Sequence, residues 1–395
     1  MKPFVLITGW ITCFHTLAAE SQWVLEMVQT PTSERALAPN LCSLKEQFAF
    51  TWMEPEPNGK ATVHLARWNG LAFDATQTIA ESHQMFANWA DIPSMVETRG
   101  GDWYAQWLEK LGSDTYAYGI RMQRSTDQGQ TWQPLGWLHD DQSEVEHGFV
   151  SFALEGKDAR AFWLDGREMT QPKGNMTLRT ALLAGSEIRD ERLLDENVCT
   201  CCPTTATTTP DGPVVFYRDR TTKEIRDIRW VRRHNDQWSP PNPLADDQWI
   251  VPGCPVNGPS VASCESHLAV SRFTAADDQP KVILEVHPHK DPSHKREIVL
   301  DDQAPLGGCS TVTTEQGFAT SWLGREGDGI VLRLAEVSLN GTLTHEQILT
   351  HEQILTQLKG PIFRGRTCAI SKNDTLWVTW TDQRGVHLGR IRLNG

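Results

Sequence analysis

The residue types best suited to chemistry crowd into one stretch, Val198 to Asp227, which reads VCTCCPTTATTTPDGPVVFYRDRTTKEIRD. It opens with Cys199, Cys201 and Cys202 and closes in a charged run holding Arg218, Asp219, Arg220, Glu224, Arg226 and Asp227. Thiols this close together can close disulfides, or as thiolates they can hold a soft ion such as Cu(I) or Zn(II). Neighbours such as Cys201 and Cys202 are poorly placed to bridge each other, and C-x-C-C is not a zinc-finger spacing. Cys42, Cys254, Cys309 and Cys368 are further candidates for either role, with His147 as an additional ligand. Arg167, Arg218, Arg220 and Arg366, with Asp219 beside them, could grip a carboxylate or sulfate through paired N–H groups. Glu146, Asp165 and Asp91 are the candidates for an acid or base, provided that they are desolvated.

The elements that must position these groups follow from a repeat. An apolar strand ending in an aromatic residue recurs at Trp52, Trp107, Trp163, Tyr217, Phe273, Trp322 and Trp380, in steps of 55, 56, 54, 56, 49 and 58 residues. A period near 55 filled with short β-type segments matches one four-stranded blade of a β-propeller. The chain is therefore expected to be all-β, a single propeller of seven blades, or six if one copy is not a full blade. Blade three can be written out as FVSFALE from Phe149, ARAFWL from Ala159, MTLRTALL from Met176 and IRDERLLD from Ile188. Blade seven runs out of chain with TLWVTW and VHLGRIRL, and the free segment 22–28 (QWVLEMV) is expected to supply its fourth strand. Such closure leaves no bare sheet edge. The duplicated THEQILTHEQILTQ at 344–357 is expected in the outer strand of blade six.

Ahead of this domain (20–395), residues 1–19 place Lys2 before an apolar run that ends in small residues, the pattern of a cleaved secretory signal. The expected location is periplasmic or secreted, with no membrane span once the signal is removed. Eight cysteines then remain, an even number that permits disulfides in an oxidising space. A net charge of −13 with no basic stripe argues against a nucleic-acid partner; oligomeric state is left open.

In a propeller, the loops leading into the inner strands and the loops joining strands two and three open on the same face. This places Cys42, Asp91, Glu146, His147, Cys199, Cys201, Cys202, Cys254, Cys309, Arg366 and Cys368 around one channel mouth. Asp165, Arg167, Arg218, Asp219 and Arg220 come from the second set of loops. Disulfides between neighbouring mouth loops, or a thiolate metal site, would each use such a ring.

Ser125 to Trp132 reads STDQGQTW, which resembles the S-x-D-x-G-x-T-W Asp-box of sialidase-like propellers. In that motif Asp127 ties down turn amides, Gly129 takes a positive φ and Trp132 packs under the blade, a structural role. HNDQWS at 234–239 is similar to a worn copy. The resemblance implies a glycan-handling propeller, and in sialidases proper an Arg triad, an Asp acid/base and a Tyr nucleophile supported by Glu. This chain departs from that set. It lacks the Arg-Ile-Pro signature, its tyrosines end at Tyr217, and sialidases usually carry six blades. More specifically it resembles exported bacterial sialidase-like proteins carrying CCPT, here Cys201 to Thr204, and GCPVNGP, here Gly253 to Pro259. The expected function is recognition of a glycan or other anionic small ligand, with glycoside hydrolysis of sialidase type as its enzymatic form. Alternatives are a periplasmic Cu- or Zn-binding or redox protein built on the Cys-rich mouth, and a disulfide-pinned interaction scaffold.

Overall fold

A computed structural model describes residues 23–353 and 368–393; the expected signal segment 1–19, Arg366 and the end of the duplicated segment lie outside them. Seven antiparallel sheets form the blades of a propeller. Blade three shows how sequence dictates this: Trp163 pairs Arg179 and Ala161 pairs Ala181 across its two central strands, with no position lost to a bulge. The second strand is buried along nearly its whole length and carries the apolar AFWL run, whereas the third keeps Arg179, Leu182 and Ala184 half-buried.

The repeat aromatics are all buried. Trp52, Trp163, Trp322 and Tyr217 are at most 1% exposed. Each lies between its own blade and a neighbour, so the core is a set of interblade clusters. Their polar atoms need partners once buried. Trp52, Trp107 and Trp163 donate their indole N–H to the carboxylate two residues on, Glu54, Glu109 and Asp165. Trp322 donates to Asp301 at 2.9 Å, and the Tyr217 hydroxyl to Asp195 at 2.5 Å. The acidic residues of the second set of loops are therefore anchors of the repeat, not merely solvated turn residues.

Ring closure is as the sequence indicates. Glu26–Val28 pairs antiparallel with Gly385–Arg392, Glu26 opposite Arg390, and completes blade seven. The described part of the duplicated segment, 344–353, lies in the outer strand of blade six, Leu343–Gln353. Blade four departs from four plain strands. Its outer edge is split into Gln237–Trp238 and Asn242–Pro243, both pairing the third strand. Pro240 and Pro241 stand between them, and proline cannot donate to a ladder.

On one face, the turn after Tyr118–Ser125 is bonded as its residue types require. Ser125 Oγ accepts from the Gly129 amide at 2.8 Å, and Asp127 Oδ1 from the Thr131 amide at 2.9 Å. Thr131 Oγ1 donates to Asp127 at 2.6 Å and draws that carboxyl down to about 2. Gly129 has φ +81°, where a Cβ would stand 2.9 Å from Leu65, and Trp132 packs on the core between blades one and two. A cavity of about 560 Å³ opens along the inner strands, its walls including Asn40, Met95, Ser151 and Thr204. Among the described residues, no helix is long and apolar enough to cross a membrane.

Candidate functional site

The mouth loops of blades three, four and five meet in one place, because two segments are shaped to each other. Cys201 to Thr204 runs against Gly253 to Pro259 so closely that a Cβ on Gly258 would lie 2.0 Å from the Pro203 carbonyl. Arg218 fastens the same junction. Its guanidinium donates to the carbonyls of Asn257 at 2.9 and 2.8 Å, Arg226 at 2.6 Å and Phe273 at 2.8 Å, and it lies over the Trp249 ring. The side chain of Asn257 in turn accepts from the Gly308 amide and donates to the Leu306 carbonyl, which carries the junction into blade six.

Four thiols gather at this junction. Cys199 Sγ is 3.5 Å from Cys202 Sγ and 3.9 Å from Cys201 Sγ. Cys254, from blade five, approaches the Cys201 thiol and the Thr200 hydroxyl, the latter at 3.8 Å. Hydrogen bonding with the Cys201 and Cys202 thiols draws Cys199 far below an ordinary thiol, and Arg218 adds to that. Arg226 Nη1 donates to Cys199 Sγ at 3.2 Å while its other nitrogens hold Glu224. Cys201, the donor to Cys199, is pushed up, and burial lifts Cys202 to about 12. Cys254 is drawn down to about 6 by the Cys201 thiol.

Beside the thiols stands Glu146. Its backbone forms a parallel bridge to Tyr118 of blade two and accepts from the Gly166 amide of its own blade. The Tyr118 hydroxyl, buried and stacked on Phe86, donates to Glu146 Oε1 at 2.5 Å. Burial, helped by the charges of Cys254 and Cys199 and opposed by the Tyr118 hydrogen bond, raises the Glu146 carboxyl to about 7. Near neutral pH its protonated and ionised forms are both populated.

The remaining expected residues are placed as follows. His147 is fully buried, stacked on His139 at 4.0 Å, with Nε2 3.1 Å from Asp141 Oδ2 and Nδ1 3.3 Å from Asp165 Oδ2; these are close approaches outside hydrogen-bond geometry. Asp165 has no exposure and accepts from Trp163 and from Arg167. Burial opposes its ionisation, but His147 and Arg167 hold it far below the usual carboxylate range. Asp91 is 3% exposed and accepts from the Phe149 amide at 2.6 Å, holding a residue whose φ is +58°.

Two expectations need correction. First, the arginines do not reach into the mouth as an anion clamp. Arg218 is committed to carbonyls, Arg167 is ringed by Asp165, Asp140 and Glu191, Arg220 is held by Glu224, and Asp219 is paired with Arg229 at 2.6 Å. Buried or half-buried guanidinium needs such compensation, so an Arg-rich turn folds onto its own acids. Arg366 lies outside the described residues. Second, no disulfide links Cys199, Cys201, Cys202, Cys254 or Cys309 to its neighbours. Among the described residues, Cys199, Cys201, Cys202, Cys254, Cys264 and Cys309 are free thiols. Cys42 and Cys309 sit within inner strands and face the interblade core, and Cys368 begins the inner strand of blade seven. Tyr118, His139 and Asp141 escaped the sequence reading; only contacts across blades or between loops reveal them.

No family model matches the chain, and no curated protein matches it. Among solved structures, a mutant α-L-arabinofuranosidase from Fusarium graminearum is similar at a TM-score of 0.50 and 11% identity, over 94% of this chain and 97% of that one. An α-L-arabinanase from Penicillium chrysogenum is similar at 0.49 and 11% identity, over 93% and 97%. A sialidase from Trypanosoma rangeli is similar at 0.44 and 12%, over 81% of this chain and 56% of its own length. At these identities the likeness is one of fold.

Proposed function

We propose that this chain is an exported β-propeller that recognises a carbohydrate at the mouth where blades two to five meet, with Glu146 as the group that engages it. The carrying observation is the half-buried Glu146 carboxyl, fixed by the Tyr118 hydroxyl at 2.5 Å and held near 7 by its surroundings. A neutral carboxyl offers a sugar both a donor and an acceptor, and it is the form that protonates a glycosidic oxygen where cleavage follows. The arabinofuranosidase that shares the fold is bound to an iminosugar inhibitor, which supports a sugar-sized ligand.

The self-paired arginines favour a neutral sugar over a carboxylate-bearing one, so the ligand expected is of pentose or hexose type rather than a sialoside. Export is part of this reading and rests on the pattern of residues 1–19. A glycan array, with a panel of aryl glycosides including arabinofuranosides and sialosides, tests it on the mature chain. Binding to a neutral oligosaccharide that Glu146→Gln weakens about 10- to 100-fold is expected. Blank results on both, or binding indifferent to Glu146→Gln, would overturn it.

A further inference from the structure

The carbohydrate reading leaves the four thiols unused, and they form a built site of their own. The ligand atoms of Cys199, Cys201 and Cys202 all lie within 4.8 Å of one another. The contacts of 3.5 and 3.9 Å from Cys199 are far longer than an S–S bond of about 2.05 Å. They come within a few tenths of an ångström of the separations that an ion sets. With metal–sulfur bonds of about 2.3 Å, sulfurs stand about 3.8 Å apart around a tetrahedral ion and about 4.0 Å apart around a trigonal one.

Charge and rigidity agree. Gathered thiolates need compensation, and two buried cations supply it: Arg226, bonded to Cys199 Sγ at 3.2 Å, and Arg218 close by. The Cys199 amide is fixed to the Arg218 carbonyl at 3.0 Å, and Pro203 is wedged against Gly258. The three sulfurs are thus held without a metal by backbone and packing. Cys254 is exposed, so the cluster has a side open to an incoming ion.

We propose that Cys199, Cys201 and Cys202 form a binding site for one closed-shell thiophilic cation, with Cys254 as the donor that completes four-coordination. Three thiolates satisfy Cu(I), and the fourth sulfur is what Zn(II) requires. Each thiol that becomes a ligand releases its proton, and no oxidant or reductant takes part. The site adjoins Glu146, but its test reads metal affinity rather than sugar binding, so the failure of one reading is distinguishable from the failure of the other.

The test is titration of the reduced, full-length mature protein with Zn(II) against a chromophoric chelator, and with Cu(I) in the absence of oxygen. One ion per chain is expected. Cys201→Ser, at a half-buried position, should weaken both ions at least ~100-fold. Cys254→Ser should weaken Zn(II) at least ~10-fold while leaving Cu(I) close to wild type. Cys264→Ser, outside the cluster, should change neither. Circular dichroism confirms that each variant is folded, and the fully buried Cys199 and Cys202 are left intact. Failure of the wild-type chain to compete for either ion would overturn the proposal, as would a folded Cys201→Ser variant that binds like wild type. A Cys199–Cys202 disulfide that persists under reducing conditions would do the same.

Discussion

At the scale of single residues, the propeller is fastened by aromatic residues whose polar atoms are answered by a nearby carboxylate. Asp165 shows how much one such group can carry, since it holds the Trp163 indole and both prongs of Arg167 beside the His147 ring. Removing it strands a buried indole N–H and a largely buried guanidinium. Asp165→Ala is therefore expected to destabilise the fold by about 3–5 kcal/mol, read as a shift in the denaturant midpoint with the slope unchanged. Asp165→Asn keeps the shape and part of the bonding and should cost clearly less. The repeat aromatics were legible in the sequence because they recur at a fixed spacing on buried strands. Their carboxylate partners sit two residues on in three blades but upstream in others, Asp195 for Tyr217 and Asp301 for Trp322, so no single spacing marks them.

At the scale of elements, the loops around blades two and three are locked by a histidine in one tautomer. His139 Nε2 accepts from the Ile120 amide at 3.1 Å, so Nδ1 carries the proton and donates to the Asp141 carbonyl at 2.6 Å. Burial, and then the neighbouring His147, lower its pKa from 6.5 to about 4. The folded protein binds fewer protons there than the unfolded chain. Stability from this residue is full above pH 6.5 and is lost as pH falls from 6.5 toward 4. The loss is on the order of 2–3 kcal/mol, measured as unfolding free energy against pH. His139→Gln, which does not titrate, should flatten that part of the profile; an unchanged slope would mean that another group is responsible.

Element scale is also where the sequence reading of the site went furthest astray. Placing seven cysteines at equivalent loops was correct for Cys199, Cys201, Cys202 and Cys254. Cys42 and Cys309 lie within inner strands rather than in the loops before them, packed on the interblade core. The meeting of CCPT with GCPVNGP rests on the missing Cβ of Gly258, and the Tyr118–Glu146 bond spans two blades. Neither leaves a local pattern.

At the scale of the whole molecule, the ring is closed by pairing its first described strand with its last. That was legible because blade seven lacked a strand and segment 22–28 lacked a blade. Without Glu26–Val28, the strand Gly385–Arg392 would present a bare edge and Arg390 would lose Glu26. A chain starting at Thr30 is expected to melt several degrees lower and to self-associate on heating, followed by calorimetry and light scattering. A synthetic peptide of residues 20–29 should restore part of the loss, and an unaltered melting curve would show that the closing strand contributes little.

The same ring brings blades two to five together around Glu146, and that convergence is what the functional account rests on. Calorimetric titration of the best-binding neutral oligosaccharide into the mature protein and into Glu146→Gln tests it most directly. The account predicts a measurable isotherm for the wild type and an affinity about 10- to 100-fold lower for the variant, with the melting temperature of the free protein essentially preserved. Equal affinities in two equally folded proteins would contradict it.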